Sequence, residues 1–232
     1  MKKNLNPSYT YFFNSHRYHS KGNGVGLLIH NSIKDHIFFS YGKDGRFLFI
    51  DLQLKNKKRL RIFQVYLHAN NKDIQSRVLI QNDIISKIEE AKQRGYECIV
   101  IGDFNVDSYK DKHNNSHRKQ KLDFIYKLQQ LSLIDSMTLT HQKDSYRQLY
   151  TWQSPNKSIS SIIDYVFISS SILPTLLFSD IITPEFYRSD HNMVIAMLYK
   201  KDLFNDTPMA NARSSTLNKR RIFNYKKMTN EK

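Results

Sequence analysis

The chain contains few of the residues that would tie it to a secreted or membrane protein. Its one cysteine, Cys98, allows no intrachain disulfide and no cysteine-based zinc site. Cys98 lies in an apolar run and is predicted to be a small buried residue. No run approaches the roughly 18–20 apolar residues that span a bilayer. The N-terminal lysines precede no apolar signal-peptide stretch. We therefore predict an intracellular protein, nuclear or cytoplasmic, with no membrane partner and no disulfide-linked partner.

Acidic residues are also scarce. The 232-residue chain has 21 Asp and Glu against 36 Lys and Arg, a formal net charge of +15. Such an excess favours a polyanionic partner such as nucleic acid, and less so an anionic membrane surface. The alternative is a composition rich in Lys, Asn and Ile that reflects genomic bias alone.

The apolar pattern predicts an α/β chain with a mixed sheet. Residues 1–200 are predicted to form one domain, and 201–232, with the basic cluster Lys219–Arg221, a linker or tail. Asp73 is the predicted N-cap of one helix, and a second helix is predicted over Leu122, Ile125, Leu128 and Leu131, which are spaced three residues apart. The predicted strands are 24–30, 46–54, 59–67, 97–101, 149–153, 162–168 and 193–199, and no element is predicted in 1–23.

Three short acidic motifs stand beside apolar runs: IGDFNVD (Ile101 to Asp107), IDYVF (Ile163 to Phe167) and YRSDH (Tyr187 to His191). A short apolar run next to a carboxylate is typical of a buried strand that presents a charge at the rim of a sheet. Three of them, one with an Asn and one with a His, predict a hydrolytic site at a sheet edge.

Each motif residue has a chemical and a structural interpretation. Asp103 can orient or deprotonate a water while Asn105 holds a phosphate oxygen, but the pair also suits an Asx-turn. Asp190 can bind a hard cation such as Mg²⁺. His191 can donate to a charged transition state if a second carboxylate, for which Asp164 is suited, fixes its tautomer.

Two further residues are open to two interpretations. His68 follows a predicted strand and can act as an acid or phosphate contact, or it is a surface histidine. Trp152 in the run LYTWQ is interpreted as a core residue more readily than as a ligand platform.

Taken together, these motifs resemble those of the endonuclease/exonuclease/phosphatase superfamily, which includes apurinic endonucleases, exonuclease III and DNase I. The likeness is greatest to the endonuclease domains of non-LTR retrotransposons. It covers roughly Tyr11 to Lys200 and rests on Gly102–Asn105, Thr151–Trp152, Ile163–Phe167 and Ser189–His191. It implies a two-sheet α/β sandwich and Mg²⁺-dependent hydrolysis of DNA, with Mn²⁺ as the alternative ion.

The resemblance also implies roles for individual residues. Asp103 aligns or deprotonates the attacking water, and Asn105 positions the phosphate. Asp164 orients His191, which contacts the scissile phosphate. The remaining assignments are a metal ligand at Asp190, a catalytic contact at His68 and a phosphate contact at Asn71.

The chain departs from the family pattern near its start. Relatives begin with a strand that carries an Asn and a second strand that ends in a metal-binding Glu, whereas no Glu precedes Glu89 here. We therefore expect a DNase I-like fold without its first strands, in an N-terminally incomplete domain with weakened metal binding. The basic tail resembles a linker toward a reverse transcriptase, as in a longer polyprotein.

Three function hypotheses follow. The first is a Mg²⁺-dependent DNA endonuclease. The second is a catalytically inactive remnant that binds nucleic acid through its charge. The third is a phosphatase or sphingomyelinase of the same superfamily, which the net charge and the basic tail disfavour.

Overall fold

The computed structural model describes residues 6–16, 24–69, 74–109, 116–141, 149–185 and 188–204. The predicted residue Asn71 and all but the first four residues of the predicted tail 201–232 lie outside these ranges. The α-helices of the described part are α1 (Ile74–Gln93), α2 (Ser116–Gln130), α3 (Met137–Thr140) and α4 (Lys200–Leu203). Its strands are β1 (Tyr9–Asn14), β2 (Val25–His30), β3 (Ile37–Lys43), β4 (Phe47–Gln53), β5 (Arg59–Tyr66), β6 (Tyr96–Asp103), β7 (Leu133–Asp135), β8 (Trp152–Gln153), β9 (Ser160–Ser161), β10 (Asp164–Ser169), β11 (Leu176–Ile182) and β12 (Met193–Leu198).

A mixed six-stranded sheet forms the centre, in the order β3-β4-β5-β6-β10-β7. The predicted strands 46–54 and 59–67 are present as the antiparallel pair β4–β5. β6 then pairs in parallel with β5, because the long helix α1 carries the chain back to the start of the sheet. This crossover brings the carboxyl ends of β5 and β6 to the same rim.

The two faces of this sheet carry separate apolar clusters. One cluster joins alternate residues of β4, β5 and β6 to the buried sides of α1 and α2, and includes Phe63, Ile84, Val100 and Leu128. Cys98 is fully buried within it, as predicted. Because side chains alternate along a strand, the intervening residues serve the opposite face.

The second layer consists of two strand pairs, β1–β2 and β11–β12. Val25, Leu27 and Ile29 of β2 pack on Leu48 and Ile50 of β4 in the other apolar cluster. Residues of β12 and Phe204, just beyond α4, also pack against this cluster. The result is a layered α/β fold of the DNase I type, as predicted.

Several strands escaped prediction. β1 lies in a segment to which no element was assigned, and β3 and β11 were also missed. These strands leave large side chains such as Phe13, Phe39 and Phe178 exposed, so they lack the alternation of a half-buried strand. In the described part of the chain, no helix has the length and apolarity to cross a membrane.

Candidate active site

The rim of the central sheet collects the three acidic motifs. In the parallel pair β5–β6, Tyr66 is the register partner of Asp103. On the other side of β6, Asp103 is the register partner of Asp164, the first residue of the antiparallel strand β10. Directly opposed residues have side chains about 5 Å apart. Two motifs that lie far apart in sequence therefore place their carboxylates side by side.

Gly102 allows this close pairing. Its φ of +136° is a conformation that side chains disfavour, and a Cβ atom added to it would lie 1.9 Å from the Val65 carbonyl oxygen. Only a glycine fits between β5 and the start of the GDFN segment. The motif glycine is therefore required by the packing of the strand end.

The loop after β6 has the geometry of an Asx-turn. The Asn105 backbone N–H donates to Asp103 Oδ1 at 2.8 Å, and Asn105 adopts a positive φ of 51°. Its side-chain Nδ2 donates to the Leu67 carbonyl at 2.9 Å. The structural interpretation of this pair is thus correct, and it fixes the Asp103 carboxylate without excluding a chemical role. Asn105 also ties the end of β5 to this loop.

Asp164 and His191 form a hydrogen-bonded pair. His191 Nδ1 lies 2.9 Å from Asp164 Oδ2, and since a carboxylate only accepts, Nδ1 carries the proton. The hydrogen bond that His191 donates to Asp164 is the largest influence that raises the pKa of His191, and the negative charges of Asp103 and Asp190 act in the same direction. The pair therefore fixes the tautomer and favours the imidazolium ion.

The pKa of Asp103 is higher than that of a solvated carboxyl group. Burial, reinforced by the negative charge of Asp164, raises its pKa to about 6. The hydrogen bonds from Asn105 and the charge of His191 only partly offset this effect. A carboxylate with a pKa near neutrality can exchange a proton at physiological pH, which is the property a general base needs.

Thr151 connects backbone segments at the rim. No role was predicted for it beyond its place in a motif. Its buried Oγ1 accepts hydrogen bonds from the backbone N–H groups of Ile163 and Asp164, at 2.9 and 3.0 Å. Its carbonyl accepts from Asn192 N at 2.7 Å. One residue thus joins the start of β10 to the SDH motif. A Thr next to an aromatic residue is too common a dipeptide to reveal this.

Trp152 is not the core residue that was predicted. It is only partly buried, because its indole Nε1 reaches out and donates to Asp190 Oδ2 at 3.1 Å. Its backbone forms an isolated bridge with His191, and Gln153 N donates to the Asp190 carbonyl. The Trp152–Gln153 strand therefore holds the SDH motif against the rim.

Two other predicted site residues, Asp190 and His68, lie at or beside the same rim. Asp190 is exposed and influences His191 electrostatically. His68 is half-buried and directly follows Leu67, whose backbone N–H donates to the Asp103 carbonyl at 2.9 Å. His68 therefore lies along the same rim. The role of each remains a prediction.

The rim has donors suited to a divalent cation. Asp103, Asp164 and His191 each offer one ligand atom, and these atoms lie within 4.8 Å of one another. Carboxylate oxygens are the ligands that Mg²⁺ and Mn²⁺ favour. The Asp103 and Asp164 carboxylates thus fit such an ion, whereas a protonated His191 does not bind a metal, and Asp190, the predicted ligand, is not in this group.

This layered fold, with carboxylates and a histidine at one rim, defines a hydrolytic enzyme class. A family model described as endonuclease-reverse transcriptase matches residues 60–195, more than half of the chain. The chain belongs to this family of the endonuclease/exonuclease/phosphatase superfamily. No curated protein matches it by sequence.

Solved structures show the same fold at low sequence identity. The catalytic domain of APE2 from Xenopus laevis is 17% identical with a TM-score of 0.68, over 84% of this chain and 76% of that one. The 3′ phosphatase NExo from Neisseria, bound to a product DNA hairpin, is 15% identical with a TM-score of 0.62, over 83% and 80%. The endonuclease domain of the telomere-specific retrotransposon TRAS1 is 12% identical with a TM-score of 0.55, over 81% and 80%.

Proposed function

We propose that this chain is a divalent-metal-dependent endonuclease that hydrolyses phosphodiester bonds in DNA. The Asp164–His191 hydrogen bond beside Asp103 is the observation that carries the proposal. It supplies a fixed, protonated imidazole next to a carboxylate of raised pKa. Families of this class are hydrolytic, and the net charge of +15 favours a nucleic-acid substrate.

The residues divide the chemistry between them. Asp103 accepts a proton from the attacking water, and His191 donates a hydrogen bond to a phosphate oxygen as charge develops there. Asp164 holds the imidazole in the required tautomer. Asn105 and His68 lie along the same rim, and in this proposal they contact the phosphate. Asn71 is proposed to have the same role.

In this proposal the carboxylates of Asp103 and Asp164 would hold the cation, with Asp190 as the further ligand that the sequence predicts. Bound Mg²⁺ or Mn²⁺ would neutralise phosphate charge and stabilise the leaving oxygen. No Glu occurs among the first 88 residues to add a further carboxylate. Ligand charge sets the affinity of such sites, so we expect a high metal requirement and slow turnover.

Nicking of supercoiled plasmid in Mg²⁺ or Mn²⁺ tests the proposal. His191→Ala and Asp164→Asn should each lower the rate by about 10²–10⁴-fold, the usual contribution of a positioned acid or base. His30→Ala, a change at an exposed histidine on β2, is the matched control and should nick like the wild type. Equal nicking by all four proteins would show that the activity comes from elsewhere.

A specific observation also favours a second function, that of a nucleic-acid-binding protein without catalysis. The chain has its positive charge but no Glu before Glu89. In that case DNA binding would weaken by orders of magnitude between about 50 and 200 mM salt, because phosphate contacts release counterions. Salt-sensitive binding without metal-dependent nicking would select this function over the first.

A further inference from the structure

A second groove lies at the far end of the central sheet from the candidate active site. It has a volume of about 290 Å³ and is open between strand β3 and helix α1. Its lining includes Arg61, the register partner of Cys98, five residues before Asp103 on β6. At 3.3 Å per residue, the groove is thus about 17 Å from the catalytic rim along the strands. We call it the β3–α1 groove.

A β-bulge shapes one wall of the groove. Ile37 is paired with Leu52 and Phe39 with Asp51, so Phe38 is an extra residue in β3. Such a bulge reverses the alternation of side chains. Ile37 consequently packs on the second layer, while Phe38 and Phe39 both line the groove.

The aromatic rings of this wall are open to solvent. The exposed fractions of Phe38, Phe39 and Tyr41 are 46%, 48% and 40%. A group of large exposed rings is typical of a surface that binds a ligand or partner. Planar rings of this kind are the surfaces on which unpaired bases stack.

The floor of the groove is a buried, charged pair. Arg61 and Asp51 are each only 2% exposed, and the guanidinium contacts both carboxylate oxygens, at 2.7 and 2.9 Å. The guanidinium also lies 4.0 Å from the centre of the Phe49 ring. The two opposite charges neutralise each other. The hydrogen bonds hold the planar guanidinium rigidly beneath the open space.

Further cations stand around the rim of the groove. Arg59 lies over the rings of Phe38 and Tyr96, at 5.7 and 5.4 Å from their centres. Lys87 and Arg94 share the single carboxylate of Glu90, at 2.9 and 3.2 Å. Among the described residues at the groove, positively charged side chains thus outnumber carboxylates. A site for a ligand that carries a phosphate needs such an excess.

We propose that the β3–α1 groove binds an unpaired nucleotide of single-stranded nucleic acid, with the base against Phe38 and Phe39 and the phosphate near Arg59 and Arg94. This binding site is separate from the proposed site of hydrolysis. Addition of a strand from a second copy is the competing occupant of an exposed edge. The bulge disfavours it, because a bulge breaks the regular ladder that strand addition needs.

Photo-cross-linking locates the bound strand directly. An oligothymidylate that carries iodouracil, irradiated with the full-length protein without divalent metal, should form cross-links in the peptide that contains Phe38, Phe39 and Tyr41. The His191→Ala protein should give the same cross-links, so an inactive catalytic rim would leave the result intact. Cross-links that map only to other peptides would overturn the proposal.

Binding measurements add a quantitative arm. Phe38→Ala combined with Phe39→Ala should weaken oligothymidylate binding about ten-fold or more, since each stacked ring contributes strongly. Phe13→Ala, at an exposed phenylalanine of β1, is the control and should bind like the wild type. Arg59→Gln keeps the aromatic wall and should weaken binding by a smaller factor, which covers the case in which the double variant misfolds. Wild-type affinity in both variants, or a protein dimer that they abolish, would refute nucleotide binding here.

Discussion

Trp152 donates its indole N–H to the Asp190 carboxylate, and it is the only tryptophan in the chain. The bond occupies one oxygen of the carboxylate that is predicted to bind metal. It thereby orients the other oxygen.

A single indole makes this contact visible by NMR. The sole indole N–H resonance should move upfield in Asp190→Asn, because a neutral amide accepts a weaker hydrogen bond than a carboxylate does. It should also shift when Mg²⁺ is added to the wild type. Trp152→Phe should raise the Mg²⁺ concentration for half-maximal nicking about three- to ten-fold, with little loss of stability, since one solvated hydrogen bond contributes only about 1 kcal/mol. An indole resonance that responds to neither change would rule out the coupling.

The pKa of His191 should depend on Asp164. The carboxylate raises this pKa through its hydrogen bond and its charge, so Asp164→Asn should lower it. A histidine NMR titration measures this directly. Nicking by the wild type should rise with pH through about 6 as Asp103 ionises and fall again above the raised pKa of His191. A pKa of His191 that is the same in both proteins would contradict the role of Asp164.

Replacement of Asp103 should stabilise the fold. Its pKa in the folded protein, about 6, lies above the ordinary value of 3.8, so the folded chain binds this proton more tightly than the unfolded chain does. The stabilisation from protonation is complete below the ordinary pKa and is lost as pH rises through about 6. At pH 8 Asp103→Asn should therefore be more stable than the wild type by about 1–3 kcal/mol while nicking fails.

Thermal unfolding at two pH values checks this expectation. The gain should shrink at about pH 5, where the wild-type carboxyl is largely protonated. Asp123→Asn, at an exposed position of α2, is the control and should change stability by less than about 0.5 kcal/mol. A loss of stability in Asp103→Asn at pH 8 would mean that the carboxylate is structural.

Gly102→Ala should damage the fold more than another glycine substitution at positive φ. The new Cβ would meet the Val65 carbonyl, so β5 and β6 must separate, at a cost of about 4 kcal/mol or more. Gly95→Ala has a φ of +72° but nothing within 4 Å of its Cβ. It should cost only about 1–2 kcal/mol for the backbone conformation. Equal losses in denaturant unfolding would show that the strand ends can relax.

The candidate site residues at the rim of the sheet were easier to predict from the sequence than the strands with exposed side chains. Asp103, Asp164 and His191 were identified because each lies beside a short apolar run in the sequence, and the structure brings all three together. The Asx-turn at Asn105 and the burial of Cys98 were likewise readable from local patterns. Such features depend on residues adjacent in sequence.

The features that were missed depend on tertiary contacts. β3 reads poorly as a strand because its aromatic residues are exposed and a bulge at Phe38 breaks the twofold alternation. Trp152 was predicted to lie in the core but is only partly buried. Its hydrogen bond to the neighbouring Asp190 explains this position. Thr151 acts through backbone N–H groups twelve and thirteen residues away. No local pattern contains this information.

The register between Asp103 and Asp164 has a consequence during synthesis. The site needs β10 beside β6, and it needs His191 beside Asp164. A chain that emerges from the ribosome in N-to-C order lacks the Asp164–His191 pair until His191 has been exported. Nascent chains interrupted before His191 would therefore lack the pair on which the proposed hydrolysis depends.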